Sequence, residues 1–421
     1  MKNFQQQQEL YAELIVKIGV NLQPGQSVRI GGRLAQAEFI RLITAKAYQA
    51  GARYVHVDWL DTPIEKARMQ YSKPEYLDFL PDYEAQRMQE MVDNNWARIS
   101  VVGDEFLDIF EDVDPAVMRR LTTVRMQRFK PYTEAQMSNR LQWTVVAAPT
   151  VAWAQQVFPK LGATAAVRRL WQEIFKLVRV DQPDPVAAWR EHSAKLQKAV
   201  QFMAANDIQS VRFHDSKQID GKAATDLTIG LAPGHRWEAA MAMHPSGVSF
   251  LPNMPTEEMF TTPHNLRAEG WVRTSKPCFP MDRKVENAWF RLEKGLVTEF
   301  HAEVGDDALK QFFEIEGAKR LGEVALVDVR SPVNQSGRVF FETLFDENAT
   351  CHIAFGKAYP NLVEGGSAMS DAERMAHGIN NAHTHIDFMI GTPTMNVTGI
   401  SASGKEIEVM KNGRFVNAVF E

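Results

Sequence analysis

The chain has 421 residues, 45% of them hydrophobic and 24% charged, with 47 Lys+Arg against 52 Asp+Glu and a net charge of −5. That balance excludes gross disorder, its mild acidity argues against a nucleic-acid partner, and no apolar run reaches the ~18 residues of a membrane-spanning helix. At roughly 100–200 residues per domain, two or three domains are expected.

The N-terminus, Met1-Lys2-Asn3-Phe4-Gln5-Gln6, lacks the apolar core and small-residue cleavage site of a secretory signal. Cys278 and Cys351 are too few for a disulfide framework. Together these features predict a cytoplasmic, reduced protein.

Periodicity predicts an amphipathic helix over about Gln5–Val20, with Leu10, Leu14, Ile15 and Ile18 on one stripe. The turn signal Pro24-Gly25 precedes a strand at Ser27–Ile30, and a second helix over about Ala35–Ala50 stops at Gly51. Strands are expected at Arg53–Asp58, Ala97–Val102 and Thr144–Ala148, with helices between them. This alternation predicts a mostly parallel sheet covered by helices. A helix over about Pro185–Ala205 and a strand at Val211–Phe213 close the first half. Beyond His214 glycine and proline become more frequent, and alternating segments such as Val397–Ile400 and Ile407–Met410 flank hairpin signals at Ser403-Gly404-Lys405 and Lys411-Asn412-Gly413. The expected organisation is an α/β N-terminal domain over residues 1–215 and a β-rich α+β C-terminal domain over 216–421.

Histidine is unevenly placed. Only His56 and His192 of the 11 precede residue 214, which directs the search for a site to the second domain. Four segments there concentrate chemistry. Pro255-Thr256-Glu257-Glu258 pairs carboxylates; the bland alternative is a helix start capped by Thr256. In Leu321-Gly322-Glu323-Val324-Ala325-Leu326-Val327 a carboxylate opens an apolar strand, where burial is costly unless an ion or partner compensates; a surface Glu at a strand end is the alternative. Asp346 to Tyr359 holds Glu347, Cys351, His352 and Tyr359. Glu347 and His352 are five apart, so a bend is needed for both to face one ion, while Cys351 is expected to pack as a small apolar residue. On a strand, His383, His385 and Asp387 would share one face.

Carboxylates and imidazoles almost without thiolate suit one or two divalent ions and hydrolytic chemistry. Phosphate-loop, nucleophile-elbow and His-Glu-x-x-His motifs are absent, and Gly31-Gly32-Arg33-Leu34 is no dinucleotide fingerprint.

In ordered blocks the chain resembles the aminopeptidase T/aminopeptidase S family of metallo-aminopeptidases. These blocks are Asp226-Leu227-Thr228-Ile229-Gly230-Leu231, Gly234-His235-Arg236-Trp237, Asn253-Met254-Pro255-Thr256-Glu257-Glu258, Arg320-Leu321-Gly322-Glu323-Val324-Ala325, Leu344-Phe345-Asp346-Glu347-Asn348-Ala349 and His385-Ile386-Asp387-Phe388-Met389-Ile390-Gly391. The resemblance implies an exopeptidase that releases N-terminal amino acids from peptides with a free N-terminus, through two-metal-activated attack of water on the first peptide bond. It implies two divalent ions per chain (Zn²⁺, Co²⁺, Mn²⁺ or Mg²⁺), a C-terminal catalytic domain and a homodimer. Carried over by position, the metal ligands are Glu257, Glu323, Glu347, His352, His385 and Asp387, with Glu323 bridging the ions. Tyr359 matches the active-site tyrosine and would donate to the tetrahedral intermediate. His383 is then expected to be a supporting or structural residue. The rival readings are a metal-dependent hydrolase of another amide or ester, or a non-catalytic protein stabilised by metal.

Overall fold

The computed structural model describes residues 2–219 and 221–420. These divide into two compact units, one running to Ala188 and including Met241–Met254, the other comprising Trp189–Ala240 and the chain from Pro255 onward. No described helix is long and apolar enough to cross a membrane.

In the first unit α1 (Phe4–Leu14) begins at Asn3, whose side chain accepts from Gln6 N–H in a capping box, and it continues as a π-helical turn over Ile15–Gly19. Next come β1 (Ser27–Arg33), α2 (Ala37–Gln49), β2 (Tyr54–Leu60), α3 (Thr62–Tyr71), α4 (Asp82–Asp93), β3 (Ala97–Val102) and β4 (Trp143–Ala147). The sheet order is β4-β3-β1-β2, all parallel, with Asn253–Met254 adding a parallel strand beyond β4. Val28, Ile30 and Ile99 are fully buried along the strands, and Tyr11 of α1 stacks on Phe39 of α2 at 5.2 Å. Each such buried side chain contributes about 1.5–3 kcal/mol of apolar transfer.

At the carboxyl ends of these strands, where parallel sheets usually take ligands, the chain bonds to itself. Gln36, buried, donates to the carbonyls of Val102 and Ala148 at 2.8 Å each, and Thr150 Oγ1 donates to Asp104 O. Near the edge strand, Asp58 accepts from Arg29 and Arg87 at 2.5 Å each. Burial alone would raise the Asp58 carboxyl, but these two guanidinium groups hold it down at about 2.

The second unit is predominantly antiparallel, as the alternating segments predicted. Its eight-stranded sheet runs from Leu296–His301 through Trp289–Glu293, Pro263–Arg273, Lys222–Leu231, Ile208–Ile219, Met395–Ser401 and Glu406–Lys411 to Arg414–Phe415. The Asn412-Gly413 hairpin forms, both residues taking positive φ of 50° and 71°. A five-stranded antiparallel sheet holds β5 (Glu238–Ala239), β6 (Glu258–Thr261), β7 (Leu321–Val327), β8 (His352–Gly356) and β9 (His385–Met389), in the order β9-β8-β7-β6-β5. One face of it is apolar: Phe355 and Phe388 pack on Phe290 of the larger sheet, with centroids 5.0 and 5.2 Å away. The other face carries the chemistry.

Candidate metal centre

Strand alternation explains that division. In register, His352 lies opposite Ala325, Ala354 opposite both Glu323 and Asp387, Gly356 opposite His385, and Phe260 opposite Ala325. Directly opposed residues point to the same side, so Glu258, Phe260, Glu323, His352, His385 and Asp387 project from one face. Ala325, Ala354 and Gly356 lie among them and leave the space above the sheet open.

The register depends on a bulge at Gly322, where Leu321 pairs with Phe355 but Glu323 with Ala354. A side chain at Gly322 would collide with the Lys357 and Gly356 carbonyls, so the extra residue there must be glycine. That extra residue turns Glu323 onto the polar face.

The ligand atoms form two overlapping groups, Glu258–Glu323–His352 and Glu323–His385–Asp387, each with its atoms within 4.8 Å of one another. Glu323 belongs to both. Its Oε1 lies 3.8 Å from His352 Nε2 and its Oε2 3.1 Å from His385 Nε2, so each oxygen serves one side. Asp387 Oδ1 is 3.5 Å from His385 Nε2, and Glu258 Oε2 is 3.2 Å from His352 Nε2.

Glu347 reaches the same neighbourhood from a 3₁₀ turn, Glu347–Ala349, which supplies the bend required between it and His352. Burial raises its carboxyl well above the ordinary range, and the Glu258 and Asp387 charges raise it further. Tyr359 lies within the field of Glu323, Asp387, Glu347 and Glu258, and its ring centroid is 5.2 Å from that of His385. Its phenol is pushed well above its usual value, first by burial and then by those carboxylates.

Of the adjacent pair, the structure brings Glu258 into the group where Glu257 was expected. Residues 256–258 do not start a helix; Glu258 begins β6, and alternation sends Glu257 the other way. Glu257 Oε2 stands 3.5 Å from His192 Nε2, and His192 is also 2.9 Å from Thr256 O. His383 precedes β9 and is exposed. Cys351 is buried, with its sulfur against Val327 and Met410, and burial pushes its thiol up to about 11.

Two supporting residues lie outside the set of candidate ligands read from the sequence. Fully buried Asn348 accepts from the Glu257 backbone N–H at 2.6 Å and donates towards Glu347 Oε1 at 3.4 Å, tying the two carboxylate segments together. His192 holds the turn ahead of β6 from a helix far upstream. The fold brings His192 to the site and brings Asn348, next to Glu347 in the chain, against Glu257.

The donor set fits divalent cations. His352 Nδ1 lies 3.3 Å from Thr350 O and His385 Nδ1 lies 2.7 Å from Lys357 O. A carbonyl only accepts, so each ring carries its proton on Nδ1 and presents Nε2 to the carboxylates, the tautomer that ligates metal. Glu258 Oε2 is buried and lies close to His352, yet it has no hydrogen bond. Burial would raise the Glu323 carboxyl, but the two imidazoles hold it down at about 2. Each ion pair described for these carboxylates is with an imidazole. So much negative charge removed from water requires compensating positive charge. Carboxylate oxygens with imidazole nitrogens suit Zn²⁺, Mn²⁺ or Co²⁺.

The thermophilic metalloprotease (M29) family matches residues 4–415. Aminopeptidase 2 of Geobacillus stearothermophilus is 36% identical over 99% of both chains, and aminopeptidase PepS of Streptococcus thermophilus 38% over 99% of both. The solved structure of wild-type AmpT from Thermus thermophilus superposes with a TM-score of 0.88 at 36% identity, covering 98% of this chain and all of that one. A site of this chemistry, in a chain aligned nearly end to end with those proteins, places the protein in the thermophilic metalloprotease (M29) family.

Proposed function

We propose that this metal-dependent aminopeptidase releases the first residue of peptides with a free N-terminus, using two divalent ions held by Glu258, Glu323, Glu347, His352, His385 and Asp387. The observation that carries the reading is Glu323, which offers a separate oxygen to each of two imidazole-containing groups, as a bridge between two ions requires. Bound there, Zn²⁺, Co²⁺, Mn²⁺ or Mg²⁺ would supply Lewis acidity, lowering the pKa of water and polarising the scissile carbonyl.

The protein's own groups do the rest. The imidazoles, held through Nδ1, keep Nε2 aimed inward without having to reorganise. Tyr359 keeps its proton and donates to the oxygen that gains charge as the carbonyl becomes tetrahedral. The gathered carboxylates attract a cationic α-ammonium, which favours chain ends.

All of these residues lie within 216–421, which supports assigning catalysis to that region. Two free buried thiols agree with a reducing, cytoplasmic setting. Exposed Ile64 and Tyr71, seven apart on α3, and exposed Tyr76, Phe79 and Tyr83 nearby agree with a homodimer that covers apolar surface.

The test is hydrolysis of aminoacyl-p-nitroanilides and short peptides after chelation and after restoring each metal, with N-acetylated controls. Release of the first residue that needs metal and is abolished by acetylation is expected. Stoichiometric metal without cleavage of any peptide would redirect the site to another amide or ester, and absence of bound metal would overturn the ligand set.

A further inference from the structure

We propose that Glu238 receives the side chain of the substrate's first residue and gives the site a preference for lysine and arginine there; this rests on the aminopeptidase reading above. Glu238 sits on the two-residue strand β5 directly opposite Phe260 of β6. Opposed residues share a face, so its carboxylate projects on the side of the sheet that carries the metal ligands. Glu258 is two residues from Phe260 along β6, which makes Glu238 its diagonal neighbour, at roughly 7–8 Å between backbones.

Between the two lies an apolar wall. The Phe260 ring is 5.8 Å from that of Tyr359, which in turn is 5.2 Å from the His385 ring. A substrate whose first carbonyl reaches the ligand groups beside Tyr359 would lay its side chain along Phe260 towards Glu238. Lysine and arginine match that path, since an apolar stem carries their charge at the far end. A leucine side chain covers the aromatic wall but brings nothing to the carboxylate.

Glu238 lacks a cation of its own. Among the described residues its side chain makes no hydrogen bond or ion pair; Arg236, two residues earlier and exposed, acts on it only through space. Burial pushes the carboxyl up to about 7 against that attraction. A half-buried acid whose side chain has no direct partner gains from a charge-bearing ligand, because part of its desolvation is already in place.

The test compares kcat/KM for lysyl-, arginyl- and leucyl-p-nitroanilides in the metal-loaded protein and in its isosteric Glu238→Gln and apolar Glu238→Leu variants. Calorimetric binding of L-lysinamide and L-leucinamide is measured alongside. The lysine-to-leucine ratio is expected to fall about tenfold or more in both variants, mainly through KM, with lysinamide affinity falling in parallel. An unchanged ratio overturns the proposal. A proportional loss on every substrate also overturns it and makes Glu238 a group for the α-ammonium. If no substrate is cleaved but lysinamide binding still depends on Glu238, the peptidase reading fails and only the pairing of Glu238 with a cationic side chain survives; if binding does not depend on Glu238, both fail.

Discussion

The two units spend their buried polar groups in opposite ways. At the carboxyl ends of the parallel sheet, Gln36 donates to two main-chain carbonyls, and near its edge Asp58 is bracketed by Arg29 and Arg87. The Gln36 amide and the Asp58 carboxylate each meet partners of opposite character. At the polar face of the five-stranded sheet, like meets like: Glu258, Glu323 and Asp387 of the sheet and Glu347 of the 3₁₀ turn gather with two imidazoles as their only described counter-charges. The first arrangement is complete in itself and stabilises the fold. The second is unfavourable until something positive arrives, and such unmet demand marks a site.

If this contrast is correct, substitutions in the second unit act on metal and turnover, and those in the first act on stability alone. The largest effect is expected for Glu323→Gln. Kinetics and metal analysis should show loss of an ion and at least about a 10³-fold drop in kcat/KM, because the lowering of water's pKa from about 15.7 to about 7 goes with the ion. Full metal and full activity would remove the bridging role. Tyr359→Phe should keep its metal and lose about 10²–10³ in kcat, the usual cost of one donor to a developing oxyanion; a change confined to KM would contradict the assignment. Asn348→Ala should weaken metal binding about 10–100-fold, a readout taken by calorimetry on the apo protein rather than from turnover.

Smaller effects are expected from the first unit. Gln36→Ala removes the side-chain donor to the Ala148 carbonyl and the acceptor of the Arg33 N–H, while the Val102 carbonyl keeps the Ala148 N–H, so denaturant melts should show a loss of about 1–3 kcal/mol, with metal affinity unchanged. The smallest effect is a pH dependence at Asp58. Its carboxyl is depressed to about 2 when folded and lies near 3.9 when unfolded. Its contribution is therefore complete above about pH 4 and is lost as pH falls towards 2. Asp58→Asn should flatten that part of the acid-unfolding curve; an unaltered curve would mean the two arginines add nothing there.

Local pattern made the scaffold legible. The helix–strand cadence of the first unit and the Asn412-Gly413 hairpin depend on neighbours within a few residues, and these formed as expected. Departures occur where local geometry is special, as where α1 gives way to a π-helical turn at Ile15. For the site, residue type and family resemblance brought Glu323, His352, His385 and Asp387 to notice, and the structure gathers them. Choosing Glu258 over Glu257 required strand parity, which changes with a shift of one residue and is set by pairing with β7, over sixty residues away. His192 and Glu238, and the contact of Asn348 with Glu257, depend on neighbours that only the folded chain creates, and no spacing in the sequence points to them.

The tethers on the two imidazoles have a consequence for how such a site changes over time. Both rings are oriented by main-chain carbonyls, those of Thr350 and Lys357, and not by side chains. Point mutation can delete a side-chain partner but cannot delete a carbonyl. The aim of these histidines is thus encoded in the path of the backbone. Drift can rewrite residue 357, and residue 350 within the limits of its buried packing, without losing either carbonyl, and ring orientation is inherited with the sheet itself.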